Sequence, residues 1–253
     1  MTSGRADRPG RVWTAVSGEG PGPKVILIHG SLDRSAGLLR LARRLDLDRR
    51  VVRYDRRGYG RSRHLGGPFD LRAHLGDLSS LLDGAPTVLF GHSFGGALAL
   101  AAAIDLGPTI AGVAVYEPPM IWEPWWPRAN QDQSPPEDVA EAFMRRLIGD
   151  ERWDRLGAAT RRARRSEGPA LVAELESLGR EWRWDLGAVR CPVLVIRGAL
   201  AREHHQRAAD EIIASCRDAN LVVVEGAGHF GPNTHPDLVA AAIGGFAPLS
   251  AAQ

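Results

Sequence analysis

Thr87-Val88-Leu89-Phe90-Gly91-His92-Ser93-Phe94-Gly95-Gly96 decides how this chain is read: a run of strand length, a glycine-rich turn, then an Ala/Leu-rich helix to Leu106. Gly91 to Gly95 fits G-x-S-x-G. A tight strand-to-helix turn needs residues of little bulk on either side of the serine. It lifts the hydroxyl clear of the sheet at a helix N-terminus, where backbone N–H groups can stabilise an oxyanion. The pentapeptide alone is common, because glycine and serine are common. The strand before it and the helix after it distinguish an activated serine from a structural glycine turn.

Outward from this stretch, short apolar runs alternate with longer amphipathic segments. Val25-Ile26-Leu27-Ile28 reads as a fully buried strand between Gly20-Pro21-Gly22-Pro23 and Gly30. Ser35 to Leu45 follows as a helix, with Leu38, Leu39, Leu41, Ala42 and Leu45 on one side. Val51 to Tyr54 is a second strand, Asp70 to Leu82 a helix with Asp70 as N-cap, Thr87 to Phe90 a third strand and Ile110 to Tyr116 a fourth. Strands resume at Val193 to Ile196 and Leu221 to Val224, and a helix from Pro236 to Phe246 closes the chain. The alternation specifies the α/β class, a mostly parallel twisted sheet with helices on both faces. From Glu117 to Leu186 the rhythm breaks. A stretch containing Pro118, Pro119, Trp122, Pro124, Trp125, Trp126 and Pro127 leads into helical patterns at Pro136 to Ile148 and Pro169 to Arg180. The expected division is a sheet domain of residues 1–117 and 187–253 with a helical insertion at 118–186. There are no internal repeats and no low-complexity tract.

Composition narrows the function. The chain has 253 residues, 44% hydrophobic and 25% charged, as in ordinary soluble globular proteins. Net charge is +2 and Lys24 is the only lysine. Arg161, Arg162, Arg164 and Arg165 lie among interspersed acids and read as a solvated helix face, so no nucleic-acid partner is expected. Two cysteines, Cys191 and Cys216, are too few for a disulfide framework or a zinc site. The N-terminal MTSGRADRPGRVW has no apolar signal core, and no stretch approaches the ~20 apolar residues of a membrane span. A cytoplasmic protein without membrane attachment is the expectation. Gly18 to Lys24 lacks the G-K-[ST] ending of a phosphate loop and precedes a strand, so it is a turn. No histidine and carboxylate spacing suggests a metal, and no cofactor is expected.

A serine hydroxyl needs a base. Of eight histidines, His229 stands out in Gly226-Ala227-Gly228-His229-Phe230, a loop after the last strand. Such loops are where an open α/β sheet presents its functional groups. The bland alternative is a residue that caps the following loop. His204 and His205 read as surface residues of an exposed helix, His92 as a packing residue beside the serine, and His29 as a residue that shapes its loop.

His29-Gly30-Ser31, Asp55-Arg56-Arg57-Gly58-Tyr59-Gly60-Arg61-Ser62, Gly91-His92-Ser93-Phe94-Gly95-Gly96 and Gly228-His229 occur in an order that resembles the α/β-hydrolase superfamily, and the match covers most of the sheet domain. The resemblance implies the α/β-hydrolase fold with Ser93 as nucleophile and His229 as base. It also implies an oxyanion hole from the backbone N–H groups of Ser31 and Phe94, a structural role for Asp55 to Ser62, and a lid made by the insertion.

One departure from the family pattern concerns the acid that orients the histidine. Relatives usually carry an Asp in a G-x-x-D loop after the penultimate strand. Here the loop reads Gly198-Ala199-Leu200-Ala201-Arg202-Glu203 and Ala201 occupies the place. Glu117, which ends the strand after the nucleophile helix, and Glu203, two positions beyond the usual slot, both keep the chain order Ser, acid, His. Glu117 is favoured because a buried strand fixes its position, against pairing with arginines of the insertion. A dyad without an acid is the remaining alternative. Trp122, Trp125, Trp126, Trp153, Trp182 and Trp184 are expected mostly to pack the insertion onto the sheet domain. Any that line the cleft would suit an aromatic or long acyl substrate. The expected reaction is hydrolysis or transfer of an acyl group from a small ester, thioester or lactone. The alternatives are lyase, cyclase or perhydrolase chemistry on the same fold, or a binding protein without turnover.

Overall fold

The computed structural model describes residues 3–5, 10–20, 22–127, 134–180, 185–246 and 248. Eight strands form one sheet: β1 (Ser3–Arg5), β2 (Thr14–Ser17), β3 (Lys24–Ile28), β4 (Val51–Tyr54), β5 (Thr87–His92), β6 (Ile110–Tyr116), β7 (Val193–Gly198) and β8 (Ala219–Val224). Their order is β1-β2-β4-β3-β5-β6-β7-β8. The β4-to-β8 part is parallel, while β1 and β2 add an antiparallel edge. The helices of the described residues are α1 (Leu39–Leu45), α2 (Leu71–Ser79), α3 (Phe94–Asp105), α4 (Pro136–Ile148), α5 (Asp150–Arg155), α6 (Ala158–Arg165), α7 (Gly168–Arg180), α8 (Glu203–Ser215), α9 (Gly231–Thr234) and α10 (Pro236–Gly244).

Strand side chains point alternately to opposite faces, so one apolar run feeds two cores. Ile26, Ile28, Leu89, Val113 and Val195 pack with apolar residues of α2, α3 and α8. Val25, Leu27, Val88, Phe90, Ala114 and Ile196 pack with those of α1 and α10. Burial on both faces explains why these strands read as continuous apolar runs. A third cluster joins α4, α5 and α7 to the loops after β3 and β4: Ala140, Met144, Trp153, Ala170 and Leu171 close over Leu32 and Tyr59.

β3 pairs with both β4 and β5. The chain goes to one side of β3 for β4 and to the other for β5. The crevice beyond the carboxyl ends of β3 and β5 is therefore a topological switch point, where open α/β sheets bind their ligands. The loop after β3 and the turn after β5 meet there.

Several expected elements change. The helix expected from Ser35 begins at Leu39, with turns before it. Ser35 N–H is drawn away to Asp55 Oδ1 (2.8 Å), and Gly37 lies against the Asp33 carboxylate. Asp70 caps α2 as expected, accepting from Ala73 N–H at 2.8 Å, but the helix stops at Ser79 rather than Leu82. β1 and β2 had no sequence signature, being three and four residues long. α5 was also missed, and α6 was anticipated only as the helix face that carries Arg161 to Arg165. α6 buries no residue, so it carries no apolar stripe; Arg165 pairs with Asp138 (2.6 Å) and Glu141, and Arg164 with Glu167 (3.3 Å).

Candidate active site

Ser93 sits between β5 and α3 with φ 54° and ψ −125°, a left-handed conformation that non-glycine residues adopt only when their surroundings enforce it. A Cβ at Gly91 would overlap the Gly95 carbonyl, and a Cβ at Gly95 would overlap the Ile28 carbonyl of β3. Ser93 N–H donates to Tyr116 O at 2.9 Å, and its carbonyl accepts from Gly96 N–H at 2.7 Å. The turn is thus pressed against β3 and anchored to β6. Phe94 begins α3, and first-turn N–H groups of a helix have no internal partner.

The loop after β3 runs beside Ser93: a Cβ on Gly30 would come to 3.1 Å from Ser93 Cβ and 3.6 Å from its Oγ. His29 holds this loop. Arg56 N–H donates to His29 Nε2 (2.9 Å), which leaves Nδ1 to carry the proton and donate to Gly30 O (2.7 Å). Burial drives His29 well below the usual histidine range, in keeping with this neutral tautomer. The Asp55 to Ser62 segment is built from contacts within the scaffold. Asp55 accepts from Ser35 N–H and Arg61 N–H, and buried Arg56 donates to His29 O (3.0 Å) and Gly30 O (3.1 Å).

Glu117 is the residue after β6. It is 1% exposed, with φ 46°. Its Oε1 accepts from Gly198 N–H at 3.0 Å and its Oε2 meets His229 Nδ1 at 2.8 Å. A carboxylate accepts and does not donate, so His229 carries its proton on Nδ1 and leaves Nε2 free to take one. The loop bearing His229 is tied down from the same strands that carry the serine and the acid. His92 Nε2 donates to His229 O (2.8 Å), and Tyr116 Oη donates to Gly228 O (2.8 Å). Glu203 is exposed in the first turn of α8; the carboxylate that meets His229 is that of Glu117, which pairs with no arginine among the described residues of 118–186.

Residues 25–242 match the family model described as the alpha/beta hydrolase family. The chain belongs to the alpha/beta hydrolase family. No curated protein matches it. Among solved structures, an alpha/beta hydrolase from Sphaerobacter thermophilus is 25% identical, with a TM-score of 0.73 over 96% of this chain and 100% of that one. The enol-lactonase from Burkholderia xenovorans is 23% identical, with a TM-score of 0.72 over 92% and 94%. A thermophilic esterase from Thermogutta terrifontis is 23% identical, with a TM-score of 0.68 over 96% and 96%.

In this alpha/beta hydrolase the environment of His229 differs from expectation in one respect. His205 is not a surface residue: it is 8% exposed, because the apolar face of α8 turns it inward. Its ring stacks on His229 with centroids 4.7 Å apart and planes 20° from parallel. His92 approaches His229 at 4.9 Å and 45°. His204, half-buried, packs with His205 against Trp126. Trp122, Trp125 and Trp126 pack onto the sheet core, Trp153 is buried among α4, α7, Leu32 and Tyr59, and Trp182 and Trp184 lie outside the described residues. Glu117, His205 and His229 each offer a metal-ligand atom within 4.8 Å of the others. The two imidazole rings are stacked, and the carboxylate already accepts from Gly198 N–H and meets His229 Nδ1. Among the described residues no helix is long and apolar enough to cross a membrane.

Burial and the neighbouring His229 push His205 down to about 2 and His92 down to about 3, so both stay neutral in the folded protein. In the unfolded chain each returns to about 6.5 and binds a proton below that pH. Stability is therefore full above about pH 6.5 and declines as pH falls toward the folded values. Urea midpoints measured from pH 8 to pH 4 are expected to fall steadily below pH 6.5, and less steeply in His205→Leu. Midpoints that stay level with pH would contradict this account.

Proposed function

We propose that the protein is a serine hydrolase that cleaves or transfers an acyl group from an ester, thioester or lactone through an acyl-enzyme on Ser93. The observation that carries the reading is the Glu117 to His229 contact of 2.8 Å, made in the chain order Ser, Glu, His beside a strained serine turn. Ser93 Oγ attacks the acyl carbon while His229 Nε2 takes its proton. The tetrahedral oxyanion is held by the N–H groups of Ser31 and Phe94. Its collapse breaks the bond to the leaving group, which departs with the proton from His229. Water then attacks the acyl-enzyme, giving its proton to His229 Nε2. The carboxylic acid leaves as the same proton returns to Ser93 Oγ. Glu117 keeps His229 in the tautomer that can accept. The chemistry needs no cofactor or metal.

Residues 118–186 form the lid in this reading, over a core of residues 1–117 and 187–253. The rings of Trp126 and Phe230 around the histidine cluster favour an apolar or aromatic small-molecule substrate. Two solved structures of the same fold, an enol-lactonase and an esterase, carry acyl-bond names. The test is intact mass after exposure to a fluorophosphonate probe. One adduct, located on Ser93 by peptide mapping and absent from Ser93→Ala, is the expected result. A folded protein that stays unlabelled would remove the acyl-transfer reading and bring lyase chemistry or simple ligand binding forward.

A further inference from the structure

Glu174 is a buried carboxylate that the reaction above does not use. It stands on α7, in the insertion, yet it is 0% exposed and its partners all belong to the sheet domain. Oε2 accepts from Ser31 Oγ (2.7 Å) and from Tyr59 Oη (2.8 Å). Oε1 meets Arg56, also 0% exposed, and His74 Nε2 (3.0 Å). A carboxylate stays charged when buried only if such partners replace its water, and Arg56 and His74 hold Glu174 at about 2.

The same arginine sets the direction of a peptide bond. Gly30 O accepts from Arg56 and from His29 Nδ1. In a trans peptide the C=O and the following N–H point in opposite directions, so fixing Gly30 O on the Arg56 side turns Ser31 N–H to the other edge. Glu174 acts on both ends of this unit, by pairing with Arg56 and by holding the Ser31 side chain.

We infer that Glu174 is a positioning residue: a carboxylate of the insertion that fixes the Ser31 amide in its oxyanion-binding direction. The inference rests on the acyl-transfer reading, in which that amide meets the oxyanion. Ser31→Ala cuts the tether and leaves the Arg56 to Glu174 pair intact. Glu174→Gln removes the charge but keeps the shape. Both are expected to lower kcat about tenfold on an activated ester, since small misplacements at a reacting centre have effects of this order or larger, with KM changed less than threefold. Ser31→Thr, which restores a hydroxyl, should recover most of the loss. Hydrogen exchange at the amides of residues 30–34 should speed up in Ser31→Ala and return in Ser31→Thr. If Glu174→Gln fails to fold, the Ser31 pair decides. Wild-type kcat in Ser31→Ala, with or without faster exchange, would overturn the inference. An unlabelled wild-type protein in the fluorophosphonate experiment would instead remove the catalytic reading, and exchange alone would then report whether Glu174 orders the loop.

Discussion

Ser93→Ala is expected to lower turnover of an activated ester by about a millionfold, the order seen when the nucleophile of a serine hydrolase is removed. The size follows from the turn. Ser93 holds a left-handed backbone between Gly91 and Gly95, and packing against β3 leaves no room for a bulkier neighbour. Its hydroxyl is the one group that the turn raises at the start of α3. The adjacent His92 is no substitute nucleophile, because it is buried and its Nε2 is committed to His229 O. Alanine keeps the Cβ and therefore the same backbone demand, so the fold should survive. Circular dichroism and thermal unfolding close to wild type would confirm that the loss is chemical. Residual turnover above a few per cent, in a folded variant free of wild-type contamination, would show that the reaction does not pass through this hydroxyl.

The second large effect is expected at Glu117→Gln, a fall in kcat of about ten-thousandfold near neutral pH. The side chain now accepts from two donors, Gly198 N–H and His229 Nδ1. An amide has one acceptor oxygen and one donor nitrogen. Gly198 N–H is buried backbone and needs the oxygen, which leaves NH2 facing His229 Nδ1. The imidazole then moves its proton to Nε2 and can no longer take one from Ser93. Steady-state kinetics of the variant and of Glu203→Gln separate the two candidate acids. Glu203→Gln should remain within twofold of wild type, as expected of an exposed residue in the first turn of α8. The opposite ranking would assign the role to Glu203.

The parallel strands β3 to β7 were legible because they are buried on both faces and therefore nearly uniform in character. The serine turn between β5 and α3 was legible because its geometry admits so few residues. Glu117 could be singled out as a candidate because it follows a buried strand, and Ala201 could be set aside because a methyl group cannot orient an imidazole. The contact between Glu117 and His229 joins residues 112 apart in sequence, and no local pattern encodes it. His205 was misread for a related reason. Its place against His229 depends on how α8 rotates onto the sheet, and the polar neighbours of its first turn masked that inward face. Glu174 did leave a trace: it shares the buried face of α7 with Ala170, Leu171, Ser177 and Leu178, and a carboxylate on such a face requires a cationic partner. The short β1 and β2 left none, because their order comes from strand pairing rather than from an apolar stripe.

Three non-glycine residues among those described have positive φ: Leu32 at 53°, Ser93 at 54° and Glu117 at 46°. They follow the carboxyl ends of β3, β5 and β6, neighbours in the sheet. Each such conformation costs on the order of 1–3 kcal/mol, against a net folding free energy of about 5–15 kcal/mol for a typical domain. One rim of the sheet therefore acts as a loaded spring, while among the described residues the opposite rim has no non-glycine residue of positive φ. Relaxing that rim, through glycines or altered loops, would add heat resistance but blunt the chemistry. A lineage of this enzyme that moves to a hotter habitat is bound to gain its stability elsewhere, in the second core or along the surface of α6, and to leave these three positions under tension.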